Sequence, residues 1–253
     1  MGIKGIIFDL YGTLIDIETD ESMEEIYRAI AHFLTYKEIY IHPGKVRDFY
    51  YQLLKQEKEK SREEYPEISV QAIWGAFLAR HGLEAGSGSH DLAVTLAYLY
   101  RGISRKRLQL YPSVKSVLDE LRLHYRMGIV SDGQPCWALP EMRALGLGTY
   151  FDPVIVSADH GFRKPDPRLI EKALDLMGVT SSEVLFVGND MYRDIHGASR
   201  LNIKTIFVRS NQGRQSYSQT TADYVATEFE GVLRGVKLFT SGSLAHGETR
   251  LWG

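Results

Sequence analysis

Hydrophobic residues follow two different patterns along this chain. The run Gly5-Ile6-Ile7-Phe8 is short and apolar and ends at Asp9, which is typical of a fully buried parallel strand. The region after it repeats apolar residues at helical spacing. The repeats are Met23, Ile26, Tyr27, Ile30 and Phe33; Val46, Phe49, Tyr50 and Leu53; Val70, Ile73, Trp74 and Phe77; and Leu92, Leu96, Leu99 and Tyr100. They predict four amphipathic helices with no strand between them, and Gly86-Ser87-Gly88-Ser89 predicts a loop in this region.

From about Leu110 onward, predicted strands and helices alternate. The predicted strands are Met127–Val130, Pro153–Val156, Val184–Val187 and Thr205–Val208, followed by a final short strand and helix. Two of the helices between them end at Gly146 and Gly178, because glycine is favoured just beyond a helix C-terminus. Such alternation predicts right-handed crossovers and a parallel sheet.

The two patterns together predict an α/β fold: a doubly wound parallel sheet interrupted after its first strand by a helical insert. The expected boundaries are 1–14 and 108–240 for the α/β core and 15–107 for the insert, with a polar C-terminal tail over 241–253. A length of 253 residues fits one sheet domain carrying such an insert.

Composition narrows the class of protein without naming a function. Lys and Arg number 30 against 32 Asp and Glu, and this net charge of −2 argues against a basic nucleic-acid-binding protein. No apolar run reaches the roughly 18 residues that cross a bilayer. The single cysteine, Cys136, excludes an internal disulfide and suits a reducing compartment. We expect a cytoplasmic globular protein, monomeric or homodimeric, with no nucleic-acid or membrane partner.

Polar residues follow four of the predicted strands. They are Asp9, Tyr11, Gly12 and Thr13; Ser131, Asp132 and Gly133; Lys164, Pro165, Asp166 and Pro167; and Asn189, Asp190 and Asp194. Ligands of open parallel sheets bind beyond the carboxyl ends of the strands, so these groups are expected to meet. Each alone also fits a turn or a helix cap, as Asp166 followed by Pro167 does. Together they are the inventory for metal-assisted phosphoryl transfer or for nucleophilic substitution by an Asp.

The chemistry explains why these residue types are needed. An Asp carboxylate can attack phosphorus or an activated carbon and so divide a hydrolysis into two steps. Mg²⁺, bound by carboxylates, other oxygens and waters, neutralises the charge between that carboxylate and a phosphate dianion. A lysine screens both as a point charge, while a serine hydroxyl and loop amides bind the remaining phosphoryl oxygens.

With these motifs in this order, the chain resembles the haloacid dehalogenase-like hydrolase superfamily. The matching segments are Asp9-Leu-Tyr-Gly-Thr-Leu14, Ser131, Lys164-Pro165-Asp166-Pro167, and Val187-Gly-Asn-Asp-Met-Tyr-Arg-Asp-Ile-His-Gly-Ala198. The resemblance extends over nearly the whole chain and includes a helical cap inserted after the first motif. It implies that the insert closes over a small phosphorylated metabolite, excludes water and selects the leaving group.

The resemblance also implies a role for each matching residue. Asp9 would be the nucleophile, and Lys164 would orient it and balance charge. Ser131 would bind the phosphoryl group. Thr13, Asp132, Gly133 and Lys164 complete the implied phosphate-binding set. Asp190 and Asp194 would hold Mg²⁺ together with Asp9 and the backbone carbonyl of Tyr11.

Two positions depart from the family pattern. Phosphatases of the family usually carry a second Asp two residues after the nucleophile as general acid and base, and Tyr11 stands there instead. Tyrosine at this position is familiar from the 2-haloacid dehalogenase branch, which needs no metal, and its ordinary pKa near 10 makes it a poor base at neutral pH. Asn189 falls at one family spacing of the metal-binding Asp and Asp190 at another, and we assign the metal to Asp190.

Three functions therefore compete. The first is a Mg²⁺-dependent phosphatase acting through an aspartyl phosphate on Asp9, which the retained Asp190 and Asp194 favour. The second is a metal-independent 2-haloacid dehalogenase, which Tyr11 favours and which would require an insert arginine such as Arg28 or Arg47. The third is a non-enzymatic or regulatory protein with weak hydrolase activity.

Overall fold

A six-stranded parallel sheet forms the centre of the α/β core. The computed structural model describes residues 2–83 and 86–241. The strands of this sheet are β1 Gly5–Phe8, β4 Arg126–Ser131, β5 Val154–Val156, β6 Val184–Gly188, β7 Lys204–Val208 and β8 Tyr224–Ala226, in the spatial order β5-β4-β1-β6-β7-β8. In β1, Phe8 is in register with Ile129 of β4 and Val187 of β6. The segments that leave these three strands therefore emerge side by side, and the predicted fold class is confirmed.

Helices cover both faces of the sheet and make up most of the insert. They are α1 Glu24–Thr35, α2 Pro43–Lys60, α3 Val70–Ala79, α4 Ser87–Ser104, α5 Val114–Leu121, α6 Pro135–Ala144, α7 Arg168–Met177, α8 Gly197–Ser199 and α9 Gly231–Ser241. A π-helical turn over Met191–His196 precedes α8. The four helices predicted in the insert are confirmed as α1 to α4. Of the helices in the described ranges, none combines the length and hydropathy needed to span a membrane.

Alternation along β1 sends its side chains to opposite faces of the sheet. Ile6 and Phe8 pack with apolar residues of α5 and α9, whereas Ile7 packs with those of α7. The insert has an apolar core of its own, in which Trp74, Phe77 and Tyr100 are fully buried. These three aromatic residues are therefore packing residues, as amphipathic helices require.

The loop predicted over Gly86-Ser87-Gly88-Ser89 is wrong, because α4 begins at Ser87. Ser89 closes the start of this helix: its Oγ accepts the N–H of Gly86 at 3.0 Å and donates to the Gly86 carbonyl at 3.0 Å. The bond from the Gly86 N–H satisfies a donor that the helix itself leaves unpaired, whereas the Gly86 carbonyl also accepts the His90 N–H at 3.0 Å. At the other end of the chain, residues 242–253 of the predicted tail lie outside the described residues, and Ser241 still belongs to α9.

Two strands at the borders of the insert are not among those predicted from the hydrophobic pattern. They are β2 Ile15–Thr19 and β3 Arg105–Leu110, which pair antiparallel with Ile15 opposite Leu110. Arg107 of β3 lies 2.8 Å from Asp16 and 2.7 Å from Glu18 of β2. The two strands are joined by charged side chains as well as by backbone bonds, so no apolar run marks them. They bring the start and the end of the insert together next to β1.

Candidate active site

Lys164 is the centre of the candidate site. Its Nζ donates to Asp9 Oδ1 at 2.6 Å, to Asp194 Oδ1 at 2.8 Å and to the Val130 carbonyl at 2.9 Å. The side chain is fully buried, and burial alone would lower the pKa of Lys164, but the Asp194 and Asp9 carboxylates raise it above its ordinary value. Three acceptors match the three donors of an ammonium group, so Lys164 stays charged and fixed.

Asp9 directly follows β1 and is buried beside this ammonium. The Asp9 N–H donates to the Val187 carbonyl of β6 at 2.9 Å, which fixes the backbone where the strand ends. Oδ2, the carboxylate oxygen not bonded to Lys164, lies 2.8 Å from Thr13 Oγ1. The carboxylate is thus held in one orientation by a cation on one oxygen and a hydroxyl on the other.

Asp194 connects Lys164 to the loop after β6. Its Oδ2 accepts the N–H groups of Asn189 at 3.0 Å and Asp190 at 2.9 Å. Burial raises the pKa of Asp194 to about 6, against the opposing effect of the Lys164 ammonium. A Cβ on Gly188 would lie 2.5 Å from this carboxylate, so only glycine fits at the end of the strand. Both oxygens of Asp194 are engaged in holding the loop and the lysine.

Asp190 faces the π-helical turn. Its Oδ1 accepts the N–H groups of Tyr192 and Arg193, both at 2.9 Å. Its Oδ2 accepts from Arg193 Nε at 2.9 Å and from the Arg214 N–H at 3.1 Å. Burial alone would raise the pKa of Asp190, but these Arg193 and Arg214 contacts lower it. Asp190 therefore caps the turn and pairs with a guanidinium, and neither of its oxygens is available as a direct metal ligand in this arrangement.

Asn189 is the residue of this loop that turns toward the nucleophile. Its Oδ1 lies 3.1 Å from Thr13 Oγ1, the hydroxyl that also contacts Asp9. Its Nδ2 donates to Ser210 Oγ and to the Gln212 carbonyl, both at 3.1 Å, which fixes the amide with its oxygen toward Thr13.

The oxygen atoms available near Asp9 are suited to Mg²⁺, but the protein supplies only a few of the ligands. Within residues 2–83 and 86–241, no three or more His, Cys, Asp and Glu side chains are grouped to hold a metal. The oxygens of Asp9 and Asn189 on either side of Thr13 remain, and Mg²⁺ accepts one carboxylate completed by other oxygens, waters and substrate phosphate. Asp9 and Asn189 could therefore hold Mg²⁺, whereas Asp190 and Asp194 are occupied by other partners.

Ser131 and Asp132 lie at the end of β4. Among the residues that the structure describes, Ser131 Oγ makes only a long 3.4 Å contact, with the Asp132 carbonyl, which leaves the hydroxyl able to bind a ligand. Asp132 Oδ1 accepts the Lys164 N–H at 3.0 Å, and its buried Oδ2 has no hydrogen-bond partner within the described residues. Burial raises the pKa of Asp132, against the opposing effect of Lys164 and Arg193. The Gly133 N–H donates to Ser157 Oγ at 2.9 Å and is already used.

Tyr11 directs its hydroxyl to Glu141 of α6, to which it donates a hydrogen bond. Glu141 also accepts from Arg101 Nε at 2.8 Å and from Arg105 Nη1 at 3.2 Å. Burial, with the Glu141 carboxylate, raises the pKa of Tyr11 well above its ordinary value. Tyr11 therefore keeps its proton and serves a buried ion cluster.

Two residues that contact the candidate site, Glu141 and Arg193, could have been singled out from the sequence. Glu141 is a carboxylate at a position of α6 shared with the buried Ala138 and Met142, and a charge on a buried helix face requires a partner. Arg193 stands between the two Asp residues of the last motif and pairs with Asp190. In contrast, Arg28 and Arg47 line a cavity of about 390 Å³ whose walls belong to the insert alone.

The sequence of this chain is similar to those of known hydrolases. A model of the haloacid dehalogenase-like hydrolases matches residues 3–202. A glyceraldehyde 3-phosphate phosphatase of Pyrococcus abyssi is 37% identical over 103 residues, 40% of this chain and 43% of that protein. A 5-amino-6-(5-phospho-D-ribitylamino)uracil phosphatase of Escherichia coli is 28% identical over 222 residues, 83% of this chain and 85% of that protein. Six of the curated relatives are matched over only 43% to 61% of their length.

Solved structures share the fold over nearly the full length. A 2-haloacid dehalogenase from Pseudomonas syringae superposes with a TM-score of 0.69 at 23% identity, over 93% of this chain and 98% of that one. A phosphatase from Thermococcus onnurineus superposes with a TM-score of 0.59 at 21% identity, over 92% and 98%. At such identities the similarity shows a common fold and does not separate the two activities.

Proposed function

The chain belongs to the haloacid dehalogenase-like hydrolase family, and from that premise we propose that it is a phosphatase of small phosphorylated metabolites. The observation that carries the proposal is the buried Asp9 carboxylate, held by Lys164 at 2.6 Å on one oxygen and by Thr13 at 2.8 Å on the other. An oriented carboxylate beside a fixed ammonium is suited to attack an anionic phosphoryl group, because the cation offsets the charge repulsion. The phosphatase names of the relatives support the same reaction class.

The proposed reaction has two steps on phosphorus. A carboxylate oxygen of Asp9 forms a bond to phosphorus while the bond from phosphorus to the substrate alcohol oxygen breaks, and the alcohol leaves after taking a proton from water. A second water then attacks the phosphorus of the aspartyl phosphate and gives a proton to the hydroxide left by the first step. Cleavage of the bond between phosphorus and the Asp9 oxygen releases phosphate and restores the carboxylate. Lys164 neutralises charge throughout, and the Ser131 hydroxyl binds a phosphoryl oxygen.

Mg²⁺ is the proposed cofactor, with Asp9, Asn189 and the Tyr11 backbone carbonyl as its protein ligands. When bound, the ion supplies charge neutralisation between the carboxylate and the phosphoryl group. Asp194 supports this set indirectly, since it holds the N–H groups of Asn189 and Asp190. A set with one side-chain carboxylate is expected to bind Mg²⁺ weakly and to depend on substrate phosphate for its remaining ligands.

The position of Tyr11 has a consequence for the leaving group. Its hydroxyl is bonded to Glu141, and its pKa is raised, so no protonated carboxyl stands at the position where phosphatases of the family carry their acid. We therefore expect aryl phosphates, whose leaving groups need little protonation, to react faster than alkyl phosphates.

The direct experiment is hydrolysis of p-nitrophenyl phosphate with Mg²⁺, with EDTA, and by an Asp9→Asn variant. The proposal requires activity that EDTA suppresses and that Asp9→Asn abolishes. Equal rates for the wild type and Asp9→Asn, at the level of buffer alone, would instead favour the non-enzymatic function.

The 2-haloacid dehalogenase remains the second candidate, and the tyrosine at position 11 favours it. Against it, the insert arginines Arg28 and Arg47 surround a cavity on the insert that no residue of the α/β core lines. Halide release from 2-chloropropionate without metal, in the absence of phosphatase activity, would establish the dehalogenase and overturn the phosphatase.

A further inference from the structure

A polar cavity is lined in part by Lys164, the residue that holds the nucleophile, and the proposed reaction leaves most of this cavity unused. It has a volume of about 350 Å³ and extends from Lys164 and Asp190 to Tyr65 of the insert and the 213–214 loop. Its basic side chains are Arg163, Lys164, Arg193 and Arg214, against one carboxylate, Asp190. Lys164 lines this cavity and also donates to Asp9 at 2.6 Å, so a single residue separates the cavity from the nucleophile.

The residues that line this cavity carry more positive than negative charge. Lys164 is shared by Asp9 and Asp194, and Arg193 is paired with Asp190 at 2.9 Å. No ion pair of 4.0 Å or less engages Arg163 or Arg214 within the part of the chain that the structure describes. Arg163 and Arg214 line the cavity and are exposed, and neither is held in an ion pair within the described ranges, although burial raises the pKa of the nearby Glu67 carboxyl and Arg163 opposes that rise.

The walls hold these arginines near the site. The Arg163 N–H donates to the Tyr65 carbonyl at 2.9 Å, so the segment before Lys164 is attached to the insert. Tyr65 Oη lies 3.3 Å from Tyr192 Oη, and the Arg214 guanidinium lies 5.0 Å from the centre of the Tyr192 ring. The contact with this ring fixes Arg214 without consuming its N–H donors.

From this cavity we infer that the substrate carries a second anionic group besides the phosphate that is cleaved. Arg163 and Arg214 bind that group, a carboxylate or a second phosphate, through the paired N–H donors that guanidinium presents to either anion. The cavity is at the small end of ligand sites, so the second anion belongs to a short metabolite. This inference rests on the proposed phosphatase function and adds its substrate class.

The test compares substrates that differ only in the second group. One pair is 3-phosphoglycerate against glyceraldehyde 3-phosphate, and the other is propane-1,3-diol bisphosphate against the corresponding monophosphate. We expect the wild type to prefer the doubly anionic member of at least one pair by about tenfold or more in kcat/KM, since a hydrogen bond to a charged group is worth about that factor. The pair with the larger preference identifies carboxylate or phosphate as the anion.

An Arg163→Gln/Arg214→Gln double variant should remove this preference, chiefly through a higher KM for the doubly anionic substrate. The matched control is Arg234→Gln, an exposed arginine of α9 outside the cavity, which should keep the wild-type ratio. Equal kcat/KM within both pairs, or a preference that survives in the double variant, would overturn the inference. If p-nitrophenyl phosphate is still hydrolysed in an Asp9-dependent manner, that failure leaves the phosphatase intact; without such hydrolysis, the proposed function itself fails.

Discussion

Two buried clusters of ion pairs contact the segment that follows β1. One has a single cation between two carboxylates, and the other has a single carboxylate between two cations. Around Lys164, one ammonium is shared by the carboxylates of Asp9 and Asp194. Around Glu141, one carboxylate is shared by the guanidinium groups of Arg101 and Arg105. The first cluster has a surplus of negative charge and the second a surplus of positive charge.

The difference separates a reactive cluster from a structural one. Glu141 belongs to α6 of the α/β core, whereas Arg101 and Arg105 come from the end of the insert, so their ion pairs fasten the two regions together. Tyr11 completes the bonding of that carboxylate. Around Lys164, Asp9 keeps an oxygen whose only side-chain partner is a hydroxyl. The surplus negative charge around Lys164 also attracts a cation, whereas the surplus positive charge around Glu141 repels one.

The largest expected effect follows from removing the nucleophile. Asp9→Asn keeps the shape of the side chain but loses its charge, and we expect kcat for p-nitrophenyl phosphate to fall by at least about a thousandfold. Asp175→Asn, on the exposed face of α7, is the control and should keep the wild-type rate. Near-normal turnover by Asp9→Asn would refute the assignment of the nucleophile.

Removing the cation of the reactive cluster should destabilise the fold. Lys164→Met leaves two buried carboxylates unpaired, and we expect the free energy of unfolding to fall by about 3–5 kcal/mol in urea titrations. The exposed Lys172→Met should change it little. A Lys164→Met variant as stable as the wild type would mean that the cluster is not the buried ion pair described here.

The Glu141 cluster should respond in stability more than in chemistry. Glu141→Gln leaves Arg101 and Arg105 without their buried carboxylate, so we expect a loss of about 1–3 kcal/mol in the free energy of unfolding. Glu171→Gln, at an exposed position of α7, serves as the matched control. If Glu141→Gln instead lost activity as completely as Asp9→Asn while unfolding normally, the contrast between the two clusters would be wrong.

The periodicity of hydrophobic residues predicts most strands and helices of this protein, but it misses two strands that carry many charged residues. The burial of Ile6, Ile7 and Phe8 follows from their apolar run, and α1 to α4 follow from helical spacing. Strands β2 and β3 have no apolar run because their apolar residues alternate with polar or charged ones. Ile15 and Ile17 pack with the core, whereas Asp16 and Glu18, which alternate with them, pair with Arg107.

Side-chain direction is the part of the site that motif spacing cannot predict. Asn189 and Asp190 are adjacent, and both fit a family spacing, yet a π-helical turn sends the Asp190 carboxylate to Arg193 and leaves Asn189 near Thr13. The position of Glu141 on a buried helix face indicates that its carboxylate has a partner, but the partners themselves could not be identified, because they lie about 40 to 130 positions away in sequence.

A substitution of Asn189 tests whether this residue is a ligand of Mg²⁺. Asn189→Asp would add a second carboxylate beside Asp9, and we expect the Mg²⁺ concentration for half-maximal activity to fall about tenfold. Asn202→Asp, an exposed asparagine before β7, is the control. An unchanged or higher requirement for Mg²⁺ would remove Asn189 from the proposed ligand set.

The smallest effect is expected from the tyrosine that replaces the usual acid. Tyr11→Phe loses only the hydroxyl bonded to Glu141, so kcat should fall far less than the roughly hundredfold typical of a lost general acid or base. A hundredfold loss, with a pH profile that moves, would place Tyr11 in proton transfer.

If Asp9 carries the phosphoryl group during turnover, the aspartyl phosphate can be trapped on that residue. The wild type is mixed with excess p-nitrophenyl phosphate and Mg²⁺, quenched in acid, reduced with borohydride and digested for mass spectrometry. We predict that the peptide containing Asp9 carries the reduction product of an acyl phosphate at that position, and that none forms without substrate. An unmodified Asp9 in an enzyme that turns over, or the same product at another carboxylate, would contradict the account.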